Sequence, residues 1–524
     1  MELWLFILIT ISFILTLILL LFKPSITINN HEINNNNKKL PPGPLRIPVI
    51  GSLVWLRRTV ANIEPVLRDL HSKHGPIFTI HIGSRPFIFV FDRSLAHKLL
   101  IEHGSIFSDR PNPPLALRFL SMNQHNISGS PYGPLWRLLR RNLISEILHP
   151  NRVKLFSHGR DWVLRLLITK LKLESESSPS SGVVTAMDSF SFAMFCLLVL
   201  MCFGEKLDEK AIKEIGFAQR DLLLYTSKLS VFSFAPGLTK YLFRHRWSTA
   251  LEKRRRQKEI FTPLIRARKE HKIKHLGRHG NEDDDNDQER FVYSYVDSLL
   301  DLKIQEDGGR ELSDDELVVL CSEFLNAGTD TTSTALQWIM ANVVKYPEVQ
   351  KKVMEEIESV VGVKSGEMIK EEDLQRMPYV KAVVMEGLRR HPPAHLVLSH
   401  TSTEEFTVEG YVIPKGALIN FGVAEMGWDD KVWEKPMEFR PERFLSQGVD
   451  VTGSREIKMM PFGVGRRICP GWGLAVLHLE YFVANLIKEF EWKEVEGEEV
   501  DFTEKPQFTV VMKHPLRAHI IPRC

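Results

Sequence analysis

Cysteine is scarce in this chain of 524 residues: five occur, at Cys196, Cys202, Cys321, Cys469 and Cys524. The number is odd and no C-x-x-C pair is present. That excludes a disulfide framework and a zinc ribbon and favours a reducing compartment. An excess of charge of one sign is missing too. The 68 lysines and arginines face 65 aspartates and glutamates, for a net charge of +3, so a uniformly basic, nucleic-acid-binding surface is not expected. No fixed-period repeat is visible, which argues against a solenoid. No flavin or nicotinamide fingerprint is present either. Apolar residues nevertheless make up 44% and charged residues 25%, the balance of a globular chain with a large core.

Long uncharged runs are also rare, with one exception. From Leu3 to Phe22 there is no charge, and only Thr10, Ser12 and Thr16 break the apolar run. At about 1.5 Å per residue such a helix crosses the roughly 30 Å hydrocarbon core. A cleaved signal peptide fits poorly, because no basic residue precedes the run and no small-residue cleavage site follows it. Lys23, Lys38, Lys39 and Arg46 come after it, which places the following chain on the cytosolic side. Residues 1–22 are therefore expected to be a transmembrane anchor. Residues 23–45, Asn-rich and then PPGP at 41–44, read as a flexible spacer ending in a stiff hinge. HGNEDDDNDQER at 279–290 reads as a solvated loop.

Most of the rest has helical spacing. Ser313 and Glu316 form a capping-box pattern at the head of a long apolar-periodic segment that runs to near Pro347. A second helix is expected over Val380–Arg390, stopped by His391-Pro392-Pro393. A third is expected to begin just after Cys469. Strand-like runs are short, near 78–83, 87–91 and 508–512. The expectation is a mainly helical body with small β-sheets.

The stretch PFGVGRRICPG, residues 461–471, surrounds one sulfur with glycines and arginines. Taken alone, a cysteine beside an apolar helix is usually an inert buried side chain. Here Pro470 suits a first helical turn, so Cys469 is expected at the helix cap, where free N–H groups and the helix dipole favour a thiolate. Gly463 and Gly465 allow a tight preceding loop, and Arg466 and Arg467 supply positive charge. A thiol nucleophile would need a positioned histidine base, which no signature designates. A dinucleotide loop fails because Ile468 stands at the third glycine position. A thiolate ligand to haem iron uses such a sulfur.

Phe462, Gly465, Arg467, Cys469 and Gly471 fit F-x-x-G-x-R-x-C-x-G, so the chain resembles the cytochrome P-450 monooxygenases, whose haem-binding signature this is. The resemblance runs from PPGP to the C-terminus and is closest to the plant microsomal branch, family eighty-nine, subfamily A. It implies the cytochrome P-450 fold, with residues 46–524 as one haem-binding catalytic domain. AGTDTT, 327–332, resembles the family's oxygen-activation motif. There Gly328 would leave room for dioxygen, Thr331 would bond a carbonyl one turn back and offer its hydroxyl to oxygen, and Asp330 would relay protons. EGLR at 386–389 and PERF at 441–444 imply a buried structural set of Glu386, Arg389 and Arg443 with no part in the chemistry. WRLLR at 136–140 implies that Trp136 and Arg140 reach a haem propionate, with Arg467 on the other. The family's usual Pro-His or Pro-Arg pair is replaced by Ser399-His400, which makes His400 a further candidate.

The resemblance also implies haem b as cofactor, O2 as co-substrate, and NADPH-derived electrons from an external NADPH–cytochrome reductase. Arg137, Arg141 and Lys458 are candidates for that partner's docking face. The expected location is the endoplasmic reticulum membrane, single-pass, with the catalytic domain in the cytosol. Substrate walls would come from Phe107–His125, Leu224–Phe243, the Thr331 helix, Ala394–Leu398 and Phe508–Val511, whose Phe, Leu and Val content suggests a largely apolar small organic substrate. The branch is associated with linear tetrapyrrole chlorophyll catabolites. Two alternatives stand beside monooxygenation: a haem-thiolate lyase or isomerase, against which the Asp330-Thr331 pair argues, and a non-catalytic haem sensor.

Overall fold

The capping box forms as the sequence predicts. In the computed structural model, Ser313 Oγ accepts from Glu316 N and the Glu316 carboxylate accepts from Ser313 N at 2.8 Å. The structure describes residues 39–44, 60–82, 85–178, 182–233, 236–276, 292–362, 367–446, 448 and 450–523, together with Thr10 and Ser12. Thr10 and Ser12 are helical and exposed; the rest of the expected anchor, most of the spacer and the 279–290 loop lie outside the described residues.

The chain gathers into two compact units, Met1–Val90 with Thr401–Asn420, and Phe91–His400 with Phe421–Cys524. The smaller contains helix α1 (Val60–His74) and strands β1 (Ile77–Ile82) and β2 (Arg85–Val90), paired antiparallel from Ile77–Val90 to Ile82–Arg85. With β3 (His400–Thr401) and β4 (Leu418–Phe421) they make a sheet of order β1-β2-β4-β3. Aromatic and β-branched residues fit this pleated, half-buried surface, and Phe78, Ile80, Ile88 and Val90 are buried. The PPGP stretch lies on β1: Thr79 N donates to Pro42 O at 2.7 Å. A Cβ on Gly43 would come within 1.9 Å of Thr79 O, so only glycine allows this approach.

The larger unit is helical. Its principal helices are α2 (Pro134–Asn142), α3 (Ser157–Ser177), α4 (Ala186–Phe203), α5 (Glu209–Tyr225), α6 (Arg244–Leu276), α7 (Asp314–Lys345), α8 (Pro378–Arg390) and α9 (Trp472–Glu489). Among the described residues α4 alone is long and apolar enough to cross a membrane, but 78% of it is buried in the protein. It lies against α3 and α7 at the centre of a core that also takes in α8 and α9. α7 stops at Tyr346, just before Pro347, and α8 has Pro378 in its first turn and stops at His391, before Pro392, as the proline rules require. β5 (Glu504–Pro506) and β6 (Val510–Met512) form a hairpin. The mainly helical body with small sheets is the expected one, and the helices and strands foreseen from the sequence appear with ends shifted by one to three residues.

Candidate functional site

The cysteine loop is shaped by its glycines. Gly463 and Gly465 have φ of 65° and 71°, left-handed values that side chains resist. At Gly465 space enforces the choice as well, because a Cβ would lie 2.3 Å from Leu100 O. The loop closes where Cys469 N donates to Phe462 O at 2.8 Å. One expectation is corrected. Cys469 is not the helix cap: α9 begins at Trp472 with Gly471 as its cap. Pro470-Gly471 instead makes a turn that carries the Gly471 N–H back to the sulfur. Burial pushes the Cys469 thiol up, while that N–H and the nearby Arg140 pull it down. Burial is the larger effect, so the thiol is less acidic than a free one, whereas a bound Lewis acid would favour its thiolate. This describes a ligand sulfur better than a free nucleophile.

Around this loop cations converge. Arg140 Nη2 donates to Ile468 O at 2.6 Å, next to the cysteine. Arg467 donates to Ser108 O at 2.7 Å and Ser130 O at 2.6 Å. Both guanidiniums lie over the Trp136 ring, Arg467 at 4.5 Å and Arg140 at 5.4 Å from its centroid. His400 Nδ1 is 2.6 Å from Phe107 O, so this nitrogen carries the proton. Burial, helped by Arg110, brings His400 down to about 3 against the pull of that bond. Arg110 joins the group without having been foreseen. It donates to Ser128 O, Leu398 O and Ser399 O, and burial lowers it to about 10 despite Asp109. Burial and the proximity of Arg110 take Arg467 down to about 9. No sequence signal singles out Arg110, because Leu398 and Ser399 reach it from 288 and 289 residues away.

Three observations test this site against an iron porphyrin. None of Arg110, Arg140 and Arg467 has a carboxylate within salt-bridge distance among the described residues. The buried Trp136 Nε1 has no hydrogen-bond partner among them. The Cys469 sulfur, with the Gly471 N–H on it, sits near Arg140. Clustered half-buried cations and an unused buried donor fit a group that brings its own carboxylates, and the site fits haem.

The residues of the AGTDTT motif are on α7. Thr331 Oγ1 donates to Ala327 O at 2.7 Å, one turn back as expected. Asp330 is paired with Arg220 of α5 at 3.3 Å; burial pushes its carboxyl up and Arg220 opposes the shift. Gly328 is a second correction. Its Cβ position points at Leu198 Cδ1, 2.7 Å away on α4, so the missing side chain allows close helix packing. The exposed Ala327 shares the Thr331 face instead.

The ion set closes as the resemblance implies. Glu386 takes Arg389 Nε at 2.7 Å and Arg443 Nε at 3.1 Å. Arg440 N adds a fourth donation at 2.8 Å to those from the two arginines. Of the supposed docking cations, Arg137 and Arg141 line a shallow cavity with Trp136 and Arg140, while Lys458 is paired with Glu456 at 3.3 Å. The expected wall segments partly meet. Thr509 Oγ1 lies 2.9 Å from Thr334 Oγ1 of α7, and Val510 N donates to Pro393 O at 2.8 Å. Leu120 packs with Tyr225, Val231, Phe243 and Trp247 in one small apolar cluster around Leu229 and Phe232.

Residues 41–521 match the family described as Cytochrome P450. The chain belongs to that family. It is 49% identical over 498 residues to cytochrome P450 89A9 of Arabidopsis thaliana, covering 93% of this chain and 94% of that protein. Cytochrome P450 736A117 of Prunus mume is 30% identical, covering 92% and 90%. Among solved structures, a zebra fish cytochrome P450 with progesterone superposes with a TM-score of 0.68 at 20% identity, over 88% of this chain and 99% of that one. At that identity the likeness shows the fold alone. The first relative supports plant P450 family eighty-nine. The family is one of haem-containing monooxygenases acting with a redox partner and O2, and the chain is an enzyme of that kind.

Proposed function

We propose that this protein is a membrane-anchored haem-thiolate monooxygenase that uses NADPH-derived electrons, passed on by NADPH–cytochrome reductase, to place one oxygen atom of O2 into a largely apolar small organic substrate, a plant metabolite. The observation that carries this reading is the half-buried Cys469, with the Gly471 N–H on its sulfur, next to a set of arginines bonded to backbone carbonyls and without a carboxylate partner among the described residues. Cys469 would be the axial ligand of haem b, in the loop built by Phe462, Gly465 and Gly471. Arg467, Arg140, Trp136 and Arg110 would hold its carboxylates, with His400 a further candidate for the same contact. When bound, haem supplies the oxygen-activating redox chemistry.

The chain's own residues position and protonate. The buried Trp136 keeps the arginines aligned over its face. Asp330, raised by burial yet tied to the half-exposed Arg220, can take a proton from solvent and pass it inward through water, with the Thr331 hydroxyl offered on the same helix. Glu386, Arg389 and Arg443 hold the fold beneath. The protein is reconstituted with reductase, NADPH and a plant metabolite extract, and products are sought by mass. A gain of one oxygen is expected, with product per NADPH reduced at least about tenfold in Thr331→Ala and peroxide released in its place. No oxygenated product with any fraction of the extract, or unchanged coupling in Thr331→Ala, would count against the reading.

Residues 46–524 would be the catalytic domain, carried by the 23–45 spacer and the 1–22 anchor on the cytosolic face of the endoplasmic reticulum. The support is the uncharged run Leu3–Phe22 followed by lysines. Deleting residues 1–22 is expected to move most of the protein from the membrane pellet to the supernatant in carbonate-free fractionation. An unchanged distribution would remove the anchor from the account.

A further inference from the structure

Glu323 lies on α7, eight residues before Thr331, and faces the segment 126–128. Its Oε2 accepts from Ile127 N at 2.7 Å, and its Oε1 accepts from Ser128 N at 2.7 Å and Asn126 Nδ2 at 2.9 Å. Ser128 Oγ donates to the same Oε1. The carbonyls of this stretch point to the cations. Ile127 O accepts from Arg467 Nη1 at 3.3 Å, Ser128 O from Arg110 Nε at 2.8 Å, and Ser130 O from Arg467 Nη2 at 2.6 Å. One peptide group, the C=O of Ile127 with the N–H of Ser128, therefore has a carboxylate on its N–H and a guanidinium on its C=O. Such a peptide dipole is aligned by both charges, and each bond strengthens the other.

The segment is held at other points too, for Glu316 of α7 meets His125 Nδ1 at 2.6 Å. Its approach passes through Met122, Asn123 and Gln124, all with left-handed φ of 49°, 56° and 66°, which side-chain-bearing residues adopt only under constraint. Gln124 closes the loop on itself by donating to Gly129 O at 2.6 Å and accepting from Ser130 Oγ at 2.6 Å. Glu323 is the carboxylate on α7 that accepts from the backbone N–H groups of Ile127 and Ser128.

We propose that Glu323 is a positioning residue: through the Ile127–Ser128 peptide it sets the orientation of Arg467, and by fixing Ser128, whose carbonyl accepts from Arg110, it sets that of Arg110, and so of the cations offered to the haem carboxylates. This rests on the haem reading above. Glu323→Gln puts an amide N–H against an N–H donor and removes the charge that aligns the peptide. Glu323→Asp keeps the charge.

The test is the rate of haem transfer from the purified holoenzyme to excess apomyoglobin, with the reduced carbon monoxide spectrum recorded on the same samples. Loss of charge-assisted bonds predicts transfer about tenfold faster or more in Glu323→Gln, with Glu323→Asp restoring most of the difference. Glu174→Gln, which loses a comparable carboxylate bonded to Thr185 N and Ser189 Oγ, is the control for general loosening and is expected to transfer haem at the parent rate. If Glu323→Gln does not accumulate, Ser128→Ala removes one donor and leaves both charges, and is expected to speed transfer a few-fold, about the effect of one hydrogen bond. Parent-rate transfer in Glu323→Gln, or in Ser128→Ala when that is the variant available, overturns the proposal, as does equal acceleration in the control. A parent protein with no sulfur-ligated spectrum overturns the haem reading itself, and the proposal falls with it.

Discussion

Replacing Cys469 by serine is expected to lower NADPH-driven product formation at least about a thousandfold, equivalent to roughly 4 kcal/mol in barrier. The sulfur already sits where burial disfavours its ionised form, relieved only by Gly471 N–H and Arg140. A hydroxyl in the same place ionises far less readily and is a harder, poorer donor, so the electron donation that a thiolate gives to haem iron is lost. The Cys469→Ser variant should still fold, since the Cys469 N to Phe462 O bond and the glycine turns do not use the side chain. Product formation by Cys469→Ser within tenfold of the parent would show that the sulfur has no electronic role.

The second large effect is on the fold. Glu386→Gln is expected to destabilise the protein by about 3–5 kcal/mol, the usual consequence of removing one partner from a buried ionic set. Glu386 and Arg389 are both 0% exposed, and Arg443 is 11% exposed. Without the carboxylate, Arg389 keeps its bonds to Gly427 O and Pro436 O but holds an uncompensated charge away from water. Arg443→Gln should cost less, because it leaves the Glu386–Arg389 pair intact. Thermal unfolding and haem content per chain check both variants. Equal, small shifts for the two would contradict a buried, shared carboxylate.

What the sequence reveals here follows from distance along the chain. The Ser313–Glu316 box, the Glu386–Arg389 spacing and the Thr331–Ala327 bond are three or four residues apart, so helical geometry alone brings them together. The glycine turns before Cys469 are local too. Arg443 enters the same carboxylate from 57 residues away, and only the family resemblance foresaw it. Arg220 reaches Asp330 across 110 residues, Glu323 reaches Ser128 across 195, and Arg110 reaches Leu398 across 288. Nothing in spacing or composition connects such pairs. The two corrected details are of another kind. Pro470 is compatible with a first helical turn and with the turn before it, and the second is what forms. Gly328 removes a side chain as expected, but the direction of its missing Cβ depends on where α4 packs.

The most direct test of the whole account is the reduced, carbon-monoxide-bound spectrum of freshly purified, haem-replete protein. Ligation by the Cys469 thiolate predicts the strongly red-shifted Soret band of a sulfur-bound haem. A Soret band at the position typical of nitrogen-ligated haem, in fresh material with full haem content, would contradict it.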